Sequence, residues 1–182
     1  MLSSSYVPDS FCRAFTVPIP KAEVTTRVSK SSDFRGIAIT SVFAKLFESC
    51  ILHIYSHHFQ TVDNQFGFKK KVGCAHAIYT ARNIISSYIK GGDTVNIAAL
   101  DITKAFPSAN HDAILINLLK RKFPLFLVDL FDSWLRRFST RVKWKNTLSQ
   151  SFGLRIGVNQ GSVLAPALFA LLIDDIISNC TS

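Results

Sequence analysis

Apolar residues recur along this chain at two spacings, and the switches between them divide it into elements. From Val42 to Phe59 the positions Val42, Phe43, Leu46, Phe47, Cys50, Ile51, Ile54, Tyr55 and Phe59 follow steps of three and four. That pattern predicts one continuous helical face, with Thr40 or Ser41 able to cap its start. Ala77, Ile78, Ala81, Ile84, Ile85 and Ile89 repeat the spacing, and Gly91 and Gly92 end it. Asn110 can cap a short helix running through Leu119. Pro124 starts another, which turns Leu127, Val128, Leu130, Phe131, Trp134 and Leu135 inward. Positions 163, 164, 167, 168, 171 and 172 predict a last helix.

Alternation marks the strands. Val95 and Ile97 alternate with polar neighbours and run on through Ala98, Ala99 and Leu100, which predicts a buried strand ending at Asp101. Thr140 to Trp144 alternates, Lys145 and Asn146 make a turn, and Phe152, Leu154 and Ile156 alternate again, so a hairpin is predicted there. Asp63 to Phe68 is turn chemistry, and Met1 to Lys30, with Pro8, Pro18 and Pro20, predicts an extended lead-in. There is no internal repeat and no low-complexity tract.

Composition bounds the function. With 182 residues, 48% of them hydrophobic, the chain can bury one sizeable core or most of one domain of a larger protein. Twenty-one Lys and Arg against 12 Asp and Glu give a net charge of +9, which suits a polyanionic partner. Two stretches concentrate it: Asn64 to Gly92, and Arg136 to Arg155 across the predicted hairpin, both free of acidic residues. Either could face nucleic-acid phosphates, or simply be solvated, and charge also protects an exposed sheet edge. Cys12, Cys50, Cys74 and Cys180 are scattered, which argues against a zinc ribbon or a disulfide framework and for a reduced, intracellular setting. The longest apolar run, Leu164 to Ile173, is too short for a bilayer span, so no membrane partner is expected. His53 and His57 stand at metal-ligand spacing without a third ligand and read as a solvated or interface pair.

The candidate chemistry centres on Asp101. An acid delivered from a rigid strand to the rim of a sheet can serve as a metal ligand, because the backbone fixes its direction. Capping the following turn is the ordinary alternative. Phe106, five residues on, and the stretch Gly157 to Phe169, GVNQGSVLAPALF, favour the first reading.

Together these stretches resemble motifs A and B of reverse transcriptases, most closely those of non-LTR (LINE-like) retrotransposons. Asp101, Lys104, Ala105, Phe106, Asn110 and His111 follow motif A. Gly157, Gln160, Gly161, Leu164, Pro166, Leu168 and Phe169 follow motif B, with Ala165 where Ser is usual. Val17 to Lys21 resembles the stretch before the fingers. Asp33 to Ile39 resembles fingers motif 1, with Gly36 in place of proline, and Gln65 to Lys69 fits the Gln-x-Gly-Phe-Arg outline.

The resemblance implies an α+β fold of the right-hand polymerase kind: an extended lead-in over 1–33, a fingers-like region over 34–92 and a partial palm over 93–182. It implies an RNA-directed DNA polymerase using two Mg2+ ions, with Mn2+ as a substitute, on an RNA template, a DNA primer and deoxynucleoside triphosphates. Asp101 would be the catalytic carboxylate and would bridge both metal ions, joined by the backbone carbonyl of Ile102. Phe106 would crowd a 2′-hydroxyl, unless it is an ordinary core aromatic. Gln160 and Gly161 would meet the incoming nucleotide or template, and Arg35 and Lys69 are candidates for its triphosphate.

Two departures stand out. Pro107 occupies the place where Asp commonly follows the gate residue, and the chain stops at Ser182 before the Tyr/Phe-x-Asp-Asp hairpin of motif C and before any thumb. Asp174 and Asp175 do not replace motif C; they are expected as a surface pair on the helix continuing from motif B. The chain is therefore expected to be a fragment, inactive as it stands. The alternatives are a non-catalytic nucleic-acid-binding relic of a retroelement, and an intron-encoded, maturase-like polymerase.

Overall fold

The computed structural model describes residues 6–21 and 30–179. Over these residues the chain is a mixed fold of one five-stranded sheet and six helices. The elements are β1 (Arg13–Pro20), β2 (Phe34–Thr40), α1 (Val42–Ile54), α2 (Cys74–Lys90), α3 (Ala105–Ser108), α4 (His111–Lys120), α5 (Leu125–Arg137), β3 (Ser139–Trp144), β4 (Thr147–Leu148), β5 (Phe152–Gly153) and α6 (Ala165–Asn179).

The segment expected as a lead-in contributes the central strand. β1 pairs antiparallel with β2, Ala14 opposite Thr40 and Pro20 opposite Phe34, and parallel with β3 from Arg13 to Thr16. Pro18 and Pro20 lie beyond the reach of β3, where β1 is an edge on that side and a residue with no N–H is tolerated. Ala14, Ala38, Thr40 and Thr140 face the core, while Phe15 and Ile39 face solvent. Thr140 bridges two strands, its Oγ1 lying 2.8 Å from Thr16 Oγ1 and 3.2 Å from the Ala14 carbonyl. The predicted hairpin is present, with Lys145 at positive φ in its turn, but its return ends at Gly153, leaving Leu154 and Ile156 outside the sheet. Its returning side pairs in two pieces, offset by one residue around Ser149, whose Oγ accepts from Val142 N at 2.9 Å.

The helices behind the sheet follow the sequence closely for α4 and α5. Asn110 caps α4 by accepting from Ala113 N at 3.0 Å. Ile114, Leu118, Leu127, Leu130, Phe131 and Trp134 form the centre of the core, and Phe169 and Leu171 of α6 close over it.

Three further expectations are corrected. The helix predicted to run to Phe59 stops at Ile54, and a 3-10 turn over Ser56–Phe59 follows. Its buried face is Ala44, Glu48 and Ile51, whereas Val42, Phe43, Leu46 and Ile54 are exposed. The apolar periodicity found the helix but not its orientation, because both of its faces carry apolar side chains.

The strand predicted to deliver Asp101 is not formed. Residues 93–102 have no regular structure, and Leu100 is 97% and Ile97 71% exposed. Extended backbone becomes a strand only when a neighbour takes up its N–H and C=O groups, and no described strand lies beside it.

Asp174, expected at the surface, is 2% exposed. It accepts from Val62 N at 2.8 Å and pairs with the Arg121 guanidinium, which also reaches Asn117 Oδ1 and the Gln60 carbonyl at 3.0 Å each. Asp175 keeps to the rim, 3.8 Å from Lys120 Nζ. The two neighbours differ because successive helical residues point about 100° apart, so Asp174 turns into the packing against Arg121 and Val62 while Asp175 stays at its half-exposed rim.

Arg121→Ala leaves a buried carboxylate without its cation and is expected to cost about 3 kcal/mol in urea unfolding. Lys120→Ala, at an exposed pair, is expected to change stability by less than about 0.5 kcal/mol in the same measurement.

Candidate functional site

Motifs A and B are joined backbone to backbone. α3 begins after Lys104, which adopts a left-handed conformation, and presents Phe106 from a single turn. Val158 N donates to the Phe106 carbonyl at 2.9 Å and Gly157 N to the Ala109 carbonyl at 2.8 Å. His111, buried at the start of α4, donates from Nε2 to the Gly157 carbonyl at 2.8 Å. Gly157 has φ +92°, and a Cβ there would sit 2.8 Å from the Pro107 carbonyl oxygen, so the contact admits only glycine. Pro107 is thus accommodated in the turn, its carbonyl packed against motif B.

The side chains follow that backbone. Phe106 is half-buried and stacks on Phe169 of α6, with ring centroids 5.1 Å apart and planes 26° apart. Phe68, from the 63–70 loop, meets both rings edge-on at 5.9 and 6.0 Å. The core-aromatic reading of Phe106 therefore describes one face of its packing, though the ring is not sealed inside.

Gln160 and Gly161 dock on the sheet. Ala38 N in β2 donates to the Gln160 carbonyl at 2.6 Å. Gly161, at φ +126°, lies so close to the Ala38 carbonyl that a Cβ would overlap it. The residues immediately after them are held by one that the sequence reading passed over. Glu48 of α1 is 2% exposed, and its Oε2 accepts from Ser162 Oγ at 2.7 Å, Val163 N at 2.5 Å and Leu164 N at 2.8 Å. A polar residue inside an apolar helical stretch, at position 48 among Leu46, Phe47 and Ile51, was the available signal. Gln65 is likewise buried and donates from Nε2 to the Ala170 carbonyl at 3.2 Å, tying the 63–70 loop to α6.

The remaining candidates stand apart from this cluster. Lys69 donates to the Val62 carbonyl at 2.5 Å and lies 3.9 Å from Asp63, so its ammonium braces its own loop. Arg35 is exposed on β2, opposite Ile19. Asp101 and Ile102 are exposed on the irregular segment, and no hydrogen bond or ion pair among the described residues engages the Asp101 carboxylate.

No group of three His, Cys, Asp or Glu able to hold a metal ion occurs among the described residues. A hard divalent cation requires about six oxygen ligands, and one carboxylate with one main-chain carbonyl falls well short. The described residues therefore do not by themselves fit a two-ion centre. Charge is distributed more decisively. Arg136 pairs with Asp132 and Asp112, and Arg137 with Asp9, whereas Arg141, Lys143, Lys145 and Arg155 on and after the hairpin have no ion pair among the described residues.

The chain is similar to known proteins over most of its length. The family described as reverse transcriptase (RNA-dependent DNA polymerase) matches residues 19–182. The Retrovirus-related Pol polyprotein from type-2 retrotransposable element R2DM of Drosophila melanogaster is 28% identical over 176 residues, covering 97% of this chain and 16% of that protein. The Probable RNA-directed DNA polymerase from transposon BS of the same organism is 30% identical over 149 residues, 79% of this chain and 16% of that protein. The Retrovirus-related Pol polyprotein from type-1 retrotransposable element R2 of Nasonia vitripennis is 29% identical over 173 residues, 93% of this chain and 16% of that protein. The chain thus spans 16% of the length of each of these relatives. With the family match covering all but the first eighteen residues, and relatives named for retrotransposable elements and a transposon, the chain belongs to the reverse transcriptase (RNA-dependent DNA polymerase) family.

Proposed function

We propose that this chain is the fingers and first half of the palm of a polymerase that copies RNA into DNA from a primer, as part of a non-LTR retroelement. The observation that carries the reading is the interlock of the two motifs. The backbone of Gly157 and Val158 is bonded to that of Phe106 and Ala109, and Phe106 stacks on Phe169, so the gate residue and the Gln160–Gly161 turn belong to one rigid unit. A nucleotide-selecting pocket needs that rigidity, since discrimination against one extra hydroxyl is a matter of ångströms.

In this reading Phe106 excludes the 2′-hydroxyl of a ribonucleotide and the Gln160 amide meets the incoming nucleotide or the template. Arg35 and Lys69, which stand apart from the Phe106–Gln160 cluster, are its proposed triphosphate cations; Lys69 would have to release the Val62 carbonyl or use its remaining donors. The exposed bases of the hairpin, Arg141, Lys143 and Lys145, track template or primer phosphates. Members of the family generally use divalent metal ions. Asp101 with the Ile102 carbonyl is the proposed part of that centre on this chain, and further carboxylates from outside the described residues are required to complete it. The absence of a second carboxylate at Asp101 among the described residues, together with a strongly basic hairpin, also favours a second reading, in which this chain binds nucleic acid without chemistry.

Primer extension on an RNA template separates the two readings. In the full polymerase polypeptide, Asp101→Ala is expected to abolish extension while RNA affinity stays within about twofold, because a ligand is lost and no phosphate contact is. Extension that survives would refute the assignment of Asp101. Phe106→Ala is expected to relax the preference for deoxynucleotides by at least about tenfold in kcat/KM; an unchanged preference would make it a packing residue only. Replacing Arg141, Lys143 and Lys145 together by Ala is expected to reduce the slope of log affinity for single-stranded RNA against log salt by about 2.

A further inference from the structure

The turn entering α6 has an acceptor of its own: Ser162 Oγ accepts from Leu164 N at 3.1 Å and Ala165 N at 3.0 Å. Local acceptors thus already serve the amides of Leu164 and Ala165. Yet Glu48, carried by a different part of the chain, donates nothing and accepts three hydrogen bonds from Ser162, Val163 and Leu164, through a single oxygen and out of solvent. Burying a carboxylate is costly unless donors surround it, and here the donors all come from the residues that immediately follow Gln160 and Gly161. The positive end of α6 adds to their hold on the charge.

The other end of the same turn is fixed to β2, through Ala38 N on the Gln160 carbonyl at 2.6 Å and through the close approach of Gly161. β2 ends at Thr40 and α1 starts at Val42, so strand and helix form one consecutive unit that grips the turn at both ends. We propose that Glu48 is a positioning residue for nucleotide selection: it fixes the 160–164 turn against α1 and thereby sets where the Gln160 amide stands relative to the incoming nucleotide. The inference rests on the polymerase reading above. It concerns a residue on a fingers helix that neither motif contains.

A double-mutant cycle in the full polymerase polypeptide tests it, with the KM for a deoxynucleoside triphosphate and kcat measured separately. Glu48→Ala is expected to raise that KM about tenfold, the loss of charge-assisted hydrogen bonds, with kcat nearly unchanged. Glu48→Gln, which keeps the size and one acceptor, is expected to recover part of the loss. In a Gln160→Ala background, Glu48→Ala is expected to add nothing further, since the two act through one contact. An unchanged KM in folded Glu48→Ala, or effects of the two substitutions that simply multiply, would overturn the proposal. A fall in active fraction with KM unchanged would do the same, because that is the mark of a structural role alone. Should Glu48→Ala not fold, the cycle run with Glu48→Gln decides by the same criteria. Absence of extension by the unsubstituted polypeptide would instead refute the polymerase reading, before Glu48 is tested at all.

Discussion

A buried carboxylate must be met by donors, and the placement of α6 follows from two of them. At its N-terminal end the helix and the turn before it supply N–H and hydroxyl groups to Glu48; along its length Asp174 takes the Arg121 guanidinium and the Val62 amide. The first bond ties α6 to α1, the second to α4 and the loop after the 3-10 turn. Apolar packing by Leu168, Phe169 and Leu171 presses the helix onto the core but does not choose its register. The directional bonds do that, and with the register fixed, Phe169 comes to lie under Phe106.

The second constraint is backbone proximity. Gly157 and Gly161 stand where main chains from α3 and β2 approach more closely than any side chain allows. The spacing of glycines in the motif is thus a record of two contacts, one to each neighbouring element. His111 joins them through the Gly157 carbonyl, which gives a structural reason for a histidine at the start of α4.

Much of this was legible in the sequence, and the parts that were not share a cause. Helices α4 and α5 and the hairpin were evident because each carries its own signal: the Asn110 cap, the inward stripe from Leu127 to Trp134, the turn at Lys145. The motifs were evident as strings. What stayed hidden was anything decided by a partner distant in sequence. Glu48 and Asp174 look like surface acids until the donors that meet them are known. α1 has apolar residues all round, so only packing could show that Ala44, Glu48 and Ile51 face inward. The alternation from Val95 to Leu100 is a genuine strand signal, but a strand is a property of a pair, and the described residues contain no second member. Asp101 shares that fate, being carried at the end of the segment.

The parallel pairing of β1 with β3 also imposes an order of events. Thr140 bonds to the Ala14 carbonyl across 126 positions of sequence, whereas β1 and β2 are near neighbours. The antiparallel pair can close as soon as Thr40 has left the ribosome, but its third strand arrives only with Ser139, after α1 to α5 have emerged. Closing so long a loop is entropically unfavourable and slow compared with local contacts. During that interval the β1 edge at Arg13 to Thr16 is open to any other extended chain, and the charge of Arg13 on that edge helps keep strangers out until β3 fills it.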